Sequence, residues 1–468
     1  MRPIKQLQTV LLNFGPQITQ PMADYLIKNA QIVNNGKTIH ADMLIRGKRI
    51  ERIDAGFDVK HKVTEINAEG LHLIPGIIDD QVHFREPGLT HKADIYTEAK
   101  AAVAGGTTSF MEMPNVNPAT LTIDLLEQKY EIGKRNSLAN YSFFMGTSLT
   151  NYNELLKVDK QHVCGIKIFM GSSTGNMLVD DPELLERIFS ERSDILIATH
   201  CEDDRLVNER TELYKKQYGE DIPFECHPEI RNEEVCYNSS SFAVQLAKKH
   251  NSRLHILHIS TEKELSLFTN KIPLKEKRIT SEVCVHHLWF DKSDYAQFGS
   301  KIKCNPAIKE AHHKKALFEA LLDDRLDIIA TDHAPHTIEE KSNKYLKAPS
   351  GIPLVQHSLN VMLEFYHQGK ISLEKIVEKM SHDPAICFQI KDRGYLNEGF
   401  FADAVLVDLN KHWTVEPSNI FYKCGWSPFE GKEFTGQVQK TFVSGHLAYN
   451  SGNFDEAVKG ERIEFSRG

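Results

Sequence analysis

The sequence contains no long apolar run and no recognisable leader. None of its hydrophobic stretches approaches the roughly 20 residues that a helix needs to cross a bilayer. The N-terminal stretch LQTVLL is short for a signal peptide, and no small-residue cleavage site follows it. We therefore expect a protein with neither a membrane span nor a secretory leader.

Cysteine pairs and clusters of positive charge are also missing. The eight cysteines are scattered and none forms a C-x-x-C pair, which is typical of isolated thiols in a reducing compartment. The net charge is -8, whereas nucleic acid or an anionic membrane would call for clustered Lys and Arg. We expect a cytoplasmic protein that binds neither. An anionic small substrate remains compatible, because one buried Arg can outweigh a weak global field.

Two β-rich segments lie at opposite ends of the chain. Residues 24–73 and 394–450 alternate apolar and polar residues between turn sequences. Because chain termini often lie close together, these segments predict one small β-sandwich domain. Residues 1–23 are interpreted as an N-terminal appendage and residues 451–468 as a C-terminal tail.

The middle of the chain, residues 74–393, alternates short apolar strands with helical stretches such as residues 183–192 and 239–250. Eight strands with intervening helices predict the α/β class, specifically a (β/α)8 TIM-like barrel. The candidate strands are residues 72–79, 107–113, 141–146, 165–170, 195–200, 253–258, 279–284 and 327–332.

Residue types that ligate metals recur where the predicted strands end, which is the edge where such barrels build their active sites. A single His there is more often structural than a ligand. Imidazoles and a carboxylate at several strand ends together match the ligands of catalytic zinc. The candidates are His83 after the first strand, Lys167 on the fourth, His200 and His258 ending the fifth and sixth, and Asp332 ending the eighth.

Lys167 needs a chemical change before it can serve as a ligand. Its ammonium group repels a cation, whereas a carbamate formed with carbon dioxide carries a carboxylate that can bridge two metals. The alternative is a solvated lysine whose stem lies along an apolar surface.

Several strings around these residues carry a family signature. They are PGIIDDQVHFREPG (75–88), MEMPNVNPAT (111–120), GIKIFMGSS (165–173), THCED (199–203), LHILHIS (254–260), EVCVHHL (282–288), KCNPAIK (303–309) and IATDHAPHTIEEK (329–341). The strings resemble those of dihydroorotases in the amidohydrolase superfamily, and the similarity runs from about residue 25 to 450. The last string is the most specific, whereas PGIID alone identifies only the superfamily.

The resemblance implies a zinc centre of one or two ions and the reversible cyclisation of N-carbamoyl-L-aspartate to L-dihydroorotate in pyrimidine biosynthesis. Many members are dimers, so a homodimer is possible here. The residues that match metal ligands are His83, His200, His258, Asp332 and Lys167, the last as a bridging carbamate.

The resemblance also implies substrate contacts. Asp332 matches the general acid/base of the family. The residues that match substrate-binding positions are Arg85, Asn115 and His336 at the substrate carboxylate and Asn305 at the ring.

Gln81 departs from the family pattern. The first strand of these enzymes usually ends in D-x-H-x-H, and here it reads D-x-Q-x-H. An amide oxygen is a weak, neutral ligand for zinc compared with imidazole. Three outcomes are open: Gln81 ligates weakly, water takes its place, or only one metal binds tightly.

Two other features have alternative interpretations. His286 and His287 follow the seventh strand, where the family has no direct ligand, and are interpreted as supporting or packing residues. Ser173 and Thr174 belong either to a loop that closes on substrate or to a plain glycine-rich turn.

Two rival functions are also open. An allantoinase or hydantoinase would share the fold and metals, but Arg85 and Asn115 favour a dihydroorotase. A non-catalytic partner of aspartate carbamoyltransferase would explain Gln81, but not the other retained site residues.

Overall fold

The computed structural model describes residues 23–171 and 177–468. Nearly all of the predicted appendage, together with Ser173 and Thr174, lies outside the described residues. The strands are β1 Tyr25–Asn34, β2 Lys37–Arg46, β3 Arg49–Asp54, β4 Thr64–Asn67, β5 His72–Pro75, β6 Ile77–Val82, β7 Thr107–Glu112, β8 Asn140–Phe143, β9 Met145–Gly146, β10 Ile166–Phe169, β11 Leu196–His200, β12 Arg253–Ile256, β13 Ile279–Cys284, β14 Ile328–Ala330, β15 Ala404–Thr414, β16 Glu433–Val443, β17 His446–Asn450 and β18 Asn453–Phe454.

Several of the longer helices begin where the sequence supplies a capping side chain. Asp181, Asp203 and Asn232 each accept a hydrogen bond from a backbone amide of the first helical turn. The α-helices are α1 Ile95–Ala104, α2 Ile123–Asn136, α3 Tyr152–Leu155, α4 Pro182–Glu191, α5 Asp204–Tyr218, α6 His227–Ile230, α7 Glu233–His250, α8 Val285–Trp289, α9 Tyr295–Phe298, α10 Ala311–Leu322, α11 Ile338–Lys341, α12 Ser358–His367, α13 Leu373–Val377 and α14 Asp383–Phe388.

The two ends of the chain meet in one mixed sheet. Its strand order is β18-β17-β16-β15-β5-β1-β2-β3, with β4 beside β1. Strand β5 joins the two halves, because it pairs in parallel with β1 and antiparallel with β15. Ile27, Leu73 and Leu406 are buried within the apolar cluster of this sheet.

The middle of the chain forms the barrel. Strands β6, β7 and β8 pair in parallel, and β9 to β14 form a second parallel run. A parallel bridge between Val82 and His333 joins the two ends. Strands β8 and β9 together occupy the third barrel position. The prediction of an α/β fold with a (β/α)8 barrel is confirmed.

The predicted first barrel strand, residues 72–79, divides at Gly76. His72–Pro75 belongs to the terminal sheet, and only Ile77–Val82 enters the barrel. A Cβ atom at Gly76 would lie 2.1 Å from the Thr108 hydroxyl oxygen, so only glycine allows this close approach.

The C-terminal residues pack against the end of the barrel opposite the site described below. Ile463 and Phe465 are buried, and Arg462 forms a bridge with Tyr141 at the start of β8. Arg467 donates hydrogen bonds to the carbonyls of Val163, Cys164 and Phe388. In the part of the chain that the structure describes, no helix combines the length and apolarity that crossing a membrane requires.

Candidate active site

One pocket opens at the C-terminal ends of the barrel strands, where barrel enzymes place their active sites. The structure brings every sequence-predicted site residue into its lining. These residues are Gln81, His83, Arg85, Asn115, Lys167, His200, His258, Asn305, Asp332 and His336.

Three of these residues have a left-handed backbone conformation that is unusual outside glycine. The φ angles are 69° at Arg85, 41° at His258 and 46° at Asp332. Such conformations cost free energy and cluster at functional sites, where the surrounding structure enforces them. The chain turns sharply at these strand ends and carries the side chains into the pocket.

His83 and Asp332 form one side of the site. His83 Nε2 lies 3.1 Å from Asp332 Oδ1, and His83 Nδ1 lies 2.8 Å from Asn115 Oδ1. Because an amide oxygen only accepts hydrogen bonds, His83 Nδ1 carries the proton and Nε2 presents its lone pair. Burial lowers the pKa of His83, which favours the neutral, ligating imidazole. Asn115 thus orients His83, a contact that the sequence did not predict.

His200 and His258 form the opposite side. His200 Nδ1 lies 2.9 Å from His258 Nε2, and His200 Nε2 donates to Glu202 Oε2 at 2.9 Å. Because Nε2 of His200 carries the proton that it donates to Glu202, Nδ1 is unprotonated and its lone pair faces His258. Burial lowers the pKa of both imidazoles, so both are neutral. Two inward-facing nitrogens in contact fit the donor set of a divalent transition metal.

Lys167 lies on β10 and is buried, with its Nζ 4.6 Å from the centre of the Phe169 ring. Burial lowers the pKa of Lys167 to about 7. At neutral pH about half of such a lysine is the free amine, compared with about one part in 2,500 at the reference pKa of ~10.4. Only the free amine reacts with carbon dioxide, so the environment favours carbamate formation.

Gln81 is buried between a carboxylate and a thiol. Its Nε2 donates to Asp332 Oδ1 at 3.1 Å, while its Oε1 lies 3.9 Å from Cys284 Sγ. Only the oxygen of an amide can ligate a metal, and here that oxygen is directed at Cys284. The structure therefore places Gln81 as a hydrogen-bond donor that orients Asp332.

Arg85 supplies a buried positive charge. Its Nε donates to the carbonyl of Pro335 at 3.1 Å, and its Nη2 lies 3.1 Å from His336 Nε2. Burial lowers the pKa of Arg85 to about 10, so the guanidinium remains charged at neutral pH. Among the described residues no carboxylate forms an ion pair with it, which leaves the charge available for an anion in the pocket.

Two further cationic residues, Arg231 and Lys303, line the pocket and were missed from the sequence. Arg231 forms an ion pair with Glu202. Lys303 donates to two backbone carbonyls, and burial lowers its pKa to about 7. Arg231 follows a short helix far from any strand end, so no local signal marked it. Lys303 lies two residues before the predicted site residue Asn305, and this proximity in sequence could have identified Lys303 as a pocket residue.

The fold and the pocket together define a barrel enzyme with a hydrolytic site. Neutral imidazoles, a carboxylate and a carbamate-prone lysine face each other beside a guanidinium that has no carboxylate partner among the described residues. This donor set can activate water on a metal, and the cations can hold an anionic substrate.

The chain belongs to the amidohydrolase family, whose model matches residues 72–448. It is 32% identical to the dihydroorotase of Methanosarcina acetivorans over 426 residues, covering 88% of this chain and 89% of that protein. It is 30% identical to the allantoinase of Deinococcus radiodurans, covering 94% and 98% of the two chains. The structure of L-hydantoinase from Arthrobacter aurescens superposes with a TM-score of 0.89 at 25% identity, covering 95% of this chain and 100% of that one. The protein is a cyclic amidohydrolase.

Proposed function

We propose that this cyclic amidohydrolase is a zinc-dependent dihydroorotase, which cyclises N-carbamoyl-L-aspartate to L-dihydroorotate reversibly with release of water. The observation that carries the proposal is the buried guanidinium of Arg85, two residues after His83, which has no carboxylate partner among the described residues. A guanidinium can hold a carboxylate through two parallel hydrogen bonds, and both of these substrates carry a carboxylate.

The proposed metal ligands are His83, His200, His258, Asp332 and the carbamate of Lys167. Bound zinc supplies a Lewis acid and lowers the pKa of water to about 7. The lone pairs of His83 and His200 and the lowered pKa of Lys167 support this ligand set. Because Gln81 directs its oxygen at Cys284, we expect it to contribute no bond to the catalytic metal.

The remaining steps use the side chains of the pocket. Arg85 and His336 hold the substrate carboxylate, and Asn305 lies at the ring, with its Oδ1 accepting a hydrogen bond from Ser350 at 3.0 Å. Asp332 accepts a proton from the attacking water and passes it to the leaving ring nitrogen. Gln81 keeps the Asp332 carboxylate in place through the hydrogen bond to its Oδ1.

A second candidate is an allantoinase, because the Deinococcus radiodurans relative carries that name at 30% identity. Allantoin is a neutral ring without a carboxylate. It would leave the charge of Arg85 buried and unpaired in the complex, which is costly. This cost favours dihydroorotate over allantoin.

The deciding experiment measures ring opening of L-dihydroorotate, allantoin and hydantoin by the purified protein. It is run on the protein as isolated, after zinc chelation and after zinc is restored. We expect zinc-dependent turnover of L-dihydroorotate alone. Preferred turnover of allantoin or hydantoin would replace the proposal, and absence of turnover in zinc-loaded protein would refute it.

We also propose a cytoplasmic location, supported by the eight unpaired cysteines.

A further inference from the structure

Cys284, His286 and His287 form a compact cluster beyond the seventh barrel strand. Cys284 is the last residue of β13, and the two histidines lie in α8 directly after it. One potential ligand atom from each residue lies within 4.8 Å of the other two. The exposed fractions are 0%, 1% and 3%.

The imidazoles of this cluster lack the hydrogen bonds that buried polar groups normally make. Among the described residues, neither ring nitrogen of His286 makes a hydrogen bond of good geometry, although the Thr331 backbone lies near the ring, and Nδ1 of His287 has no partner. About nine in ten buried polar groups are paired, and an unpaired one costs about 1–3 kcal/mol. Three unpaired nitrogens in one place therefore point to a ligand that would satisfy them.

The hydrogen bond that His287 makes leaves its other ring nitrogen free to bind a metal. His287 Nε2 lies 3.1 Å from the carbonyl oxygen of Pro306. A carbonyl only accepts, so Nε2 carries the proton and Nδ1 presents its lone pair. This arrangement, in which the far nitrogen is fixed by a carbonyl, is typical of metal-bound histidine.

A second buried group of metal-ligating residues differs in this respect. Nε2 of His255 lies 3.2 Å from Asp80 and 3.1 Å from Glu282, and these carboxyl groups raise the pKa of the imidazole, so this group is held together by ion pairs among its own members. The cluster of Cys284, His286 and His287 has no such internal pairing.

We propose that Cys284, His286 and His287 bind a divalent transition metal of the zinc class, at a position separate from the ligands of the proposed catalytic centre. Zinc bonds of ~2.0–2.3 Å at tetrahedral angles place ligand atoms roughly 3.3–3.7 Å apart. The ligand atoms of this cluster lie within 4.8 Å of one another. On binding, the Cys284 thiol releases its proton to solvent and the thiolate bonds the metal.

The position of this cluster bears on the departure at Gln81. Gln81 Oε1 and Glu282 Oε1 lie 3.9 and 4.0 Å from Cys284 Sγ, so an oxygen is within reach as a fourth ligand. The first barrel strand of this chain has an amide at position 81, and the end of the seventh strand and the helix directly after it together offer a thiol and two imidazoles.

The test uses cobalt as the probe. Metal-free full-length protein is titrated with Co²⁺, and the near-ultraviolet absorption is followed for the charge-transfer band of a cobalt–thiolate bond. We expect the band in the wild-type protein and its loss in Cys284→Ser. His287→Gln should weaken the cobalt affinity that the band reports by about 10- to 100-fold or more.

Cys236→Ser is the matched control, because Cys236 is equally buried. Among the described residues, the one hydrogen-bond partner of its Sγ is Ser260 Oγ, at 3.7 Å. This variant should keep the band. A wild-type protein without the band at saturating cobalt overturns the inference, as does a band that survives in Cys284→Ser. No ligand proposed for catalysis contains sulfur, so the catalytic metal cannot produce the cobalt–thiolate band. Loss of the band therefore tests the cluster alone, and loss of dihydroorotate turnover tests the proposed function.

Discussion

Arg85 carries a charge that the protein buries without a partner carboxylate among its described residues. We expect Arg85→Met to raise the KM for L-dihydroorotate by about 30- to 150-fold, equivalent to about 2–3 kcal/mol of lost charged hydrogen bonding. Arg85→Lys should recover only part of this loss, because lysine keeps the charge but not the planar fork. Steady-state kinetics measure the change, with metal content as the control. An unchanged KM in Arg85→Met would remove this residue from substrate binding.

We propose that Gln81 limits how many metals the catalytic side of the pocket can hold. We expect Gln81→His to gain about one metal ion per chain relative to the wild type, because imidazole is a far better zinc ligand than an amide. Elemental analysis after dialysis against zinc measures the gain. Gln81→Asn keeps the amide and should show none. Equal metal content in wild type and Gln81→His would mean that this position does not limit binding.

At the scale of elements, the last residues of the chain form a packed segment. Arg467 is 3% exposed and donates to the carbonyls of Val163, Cys164 and Phe388. Arg467→Ala leaves these acceptors unpaired and should lower the free energy of unfolding by about 3 kcal/mol. Arg462→Ala, which loses an ion pair with Glu127 nearer the surface, should cost about 1 kcal/mol or less.

Urea unfolding of both variants and the wild type measures the difference between these two arginines. Zinc-dependent turnover should survive in both, because the segment packs at the end of the barrel opposite the pocket. Equal destabilisation by the two substitutions would show that the buried hydrogen bonds of Arg467 contribute no more to the free energy of unfolding than the contacts of Arg462.

The strand pattern explains why the pocket could be predicted from the sequence. Parallel strands of a closed barrel present all their C-terminal ends at one edge, so locating the strands located His83, His200 and Asp332 together. Side-chain orientation does not follow from that pattern. The orientations of the Gln81 amide and of the His286 and His287 rings depend on contacts between distant segments. Arg231 reaches the pocket through a loop that no strand pattern marks.

At the scale of the whole molecule, the proposed metal ligands come from five barrel strands. His83 follows β6, Lys167 lies on β10, His200 ends β11, His258 follows β12 and Asp332 follows β14. A metal held by these residues links segments that are far apart in the chain. The unfolded chain does not bring them together, so binding favours the folded state.

Zinc removal should therefore lower the Tm, and restored zinc should raise it again. A ligand at 100 times its Kd stabilises the folded state by about 2.7 kcal/mol, and the shift grows with zinc concentration. Calorimetry of chelated and zinc-loaded protein measures it. His258→Gln loses one proposed ligand, so its shift should be smaller than that of the wild type, while Cys236→Ser should match the wild type. Any metal site that forms only in the folded protein contributes to the Tm. A Tm shift in His258→Gln equal to that of the wild type would therefore place the stabilising metal away from the pocket.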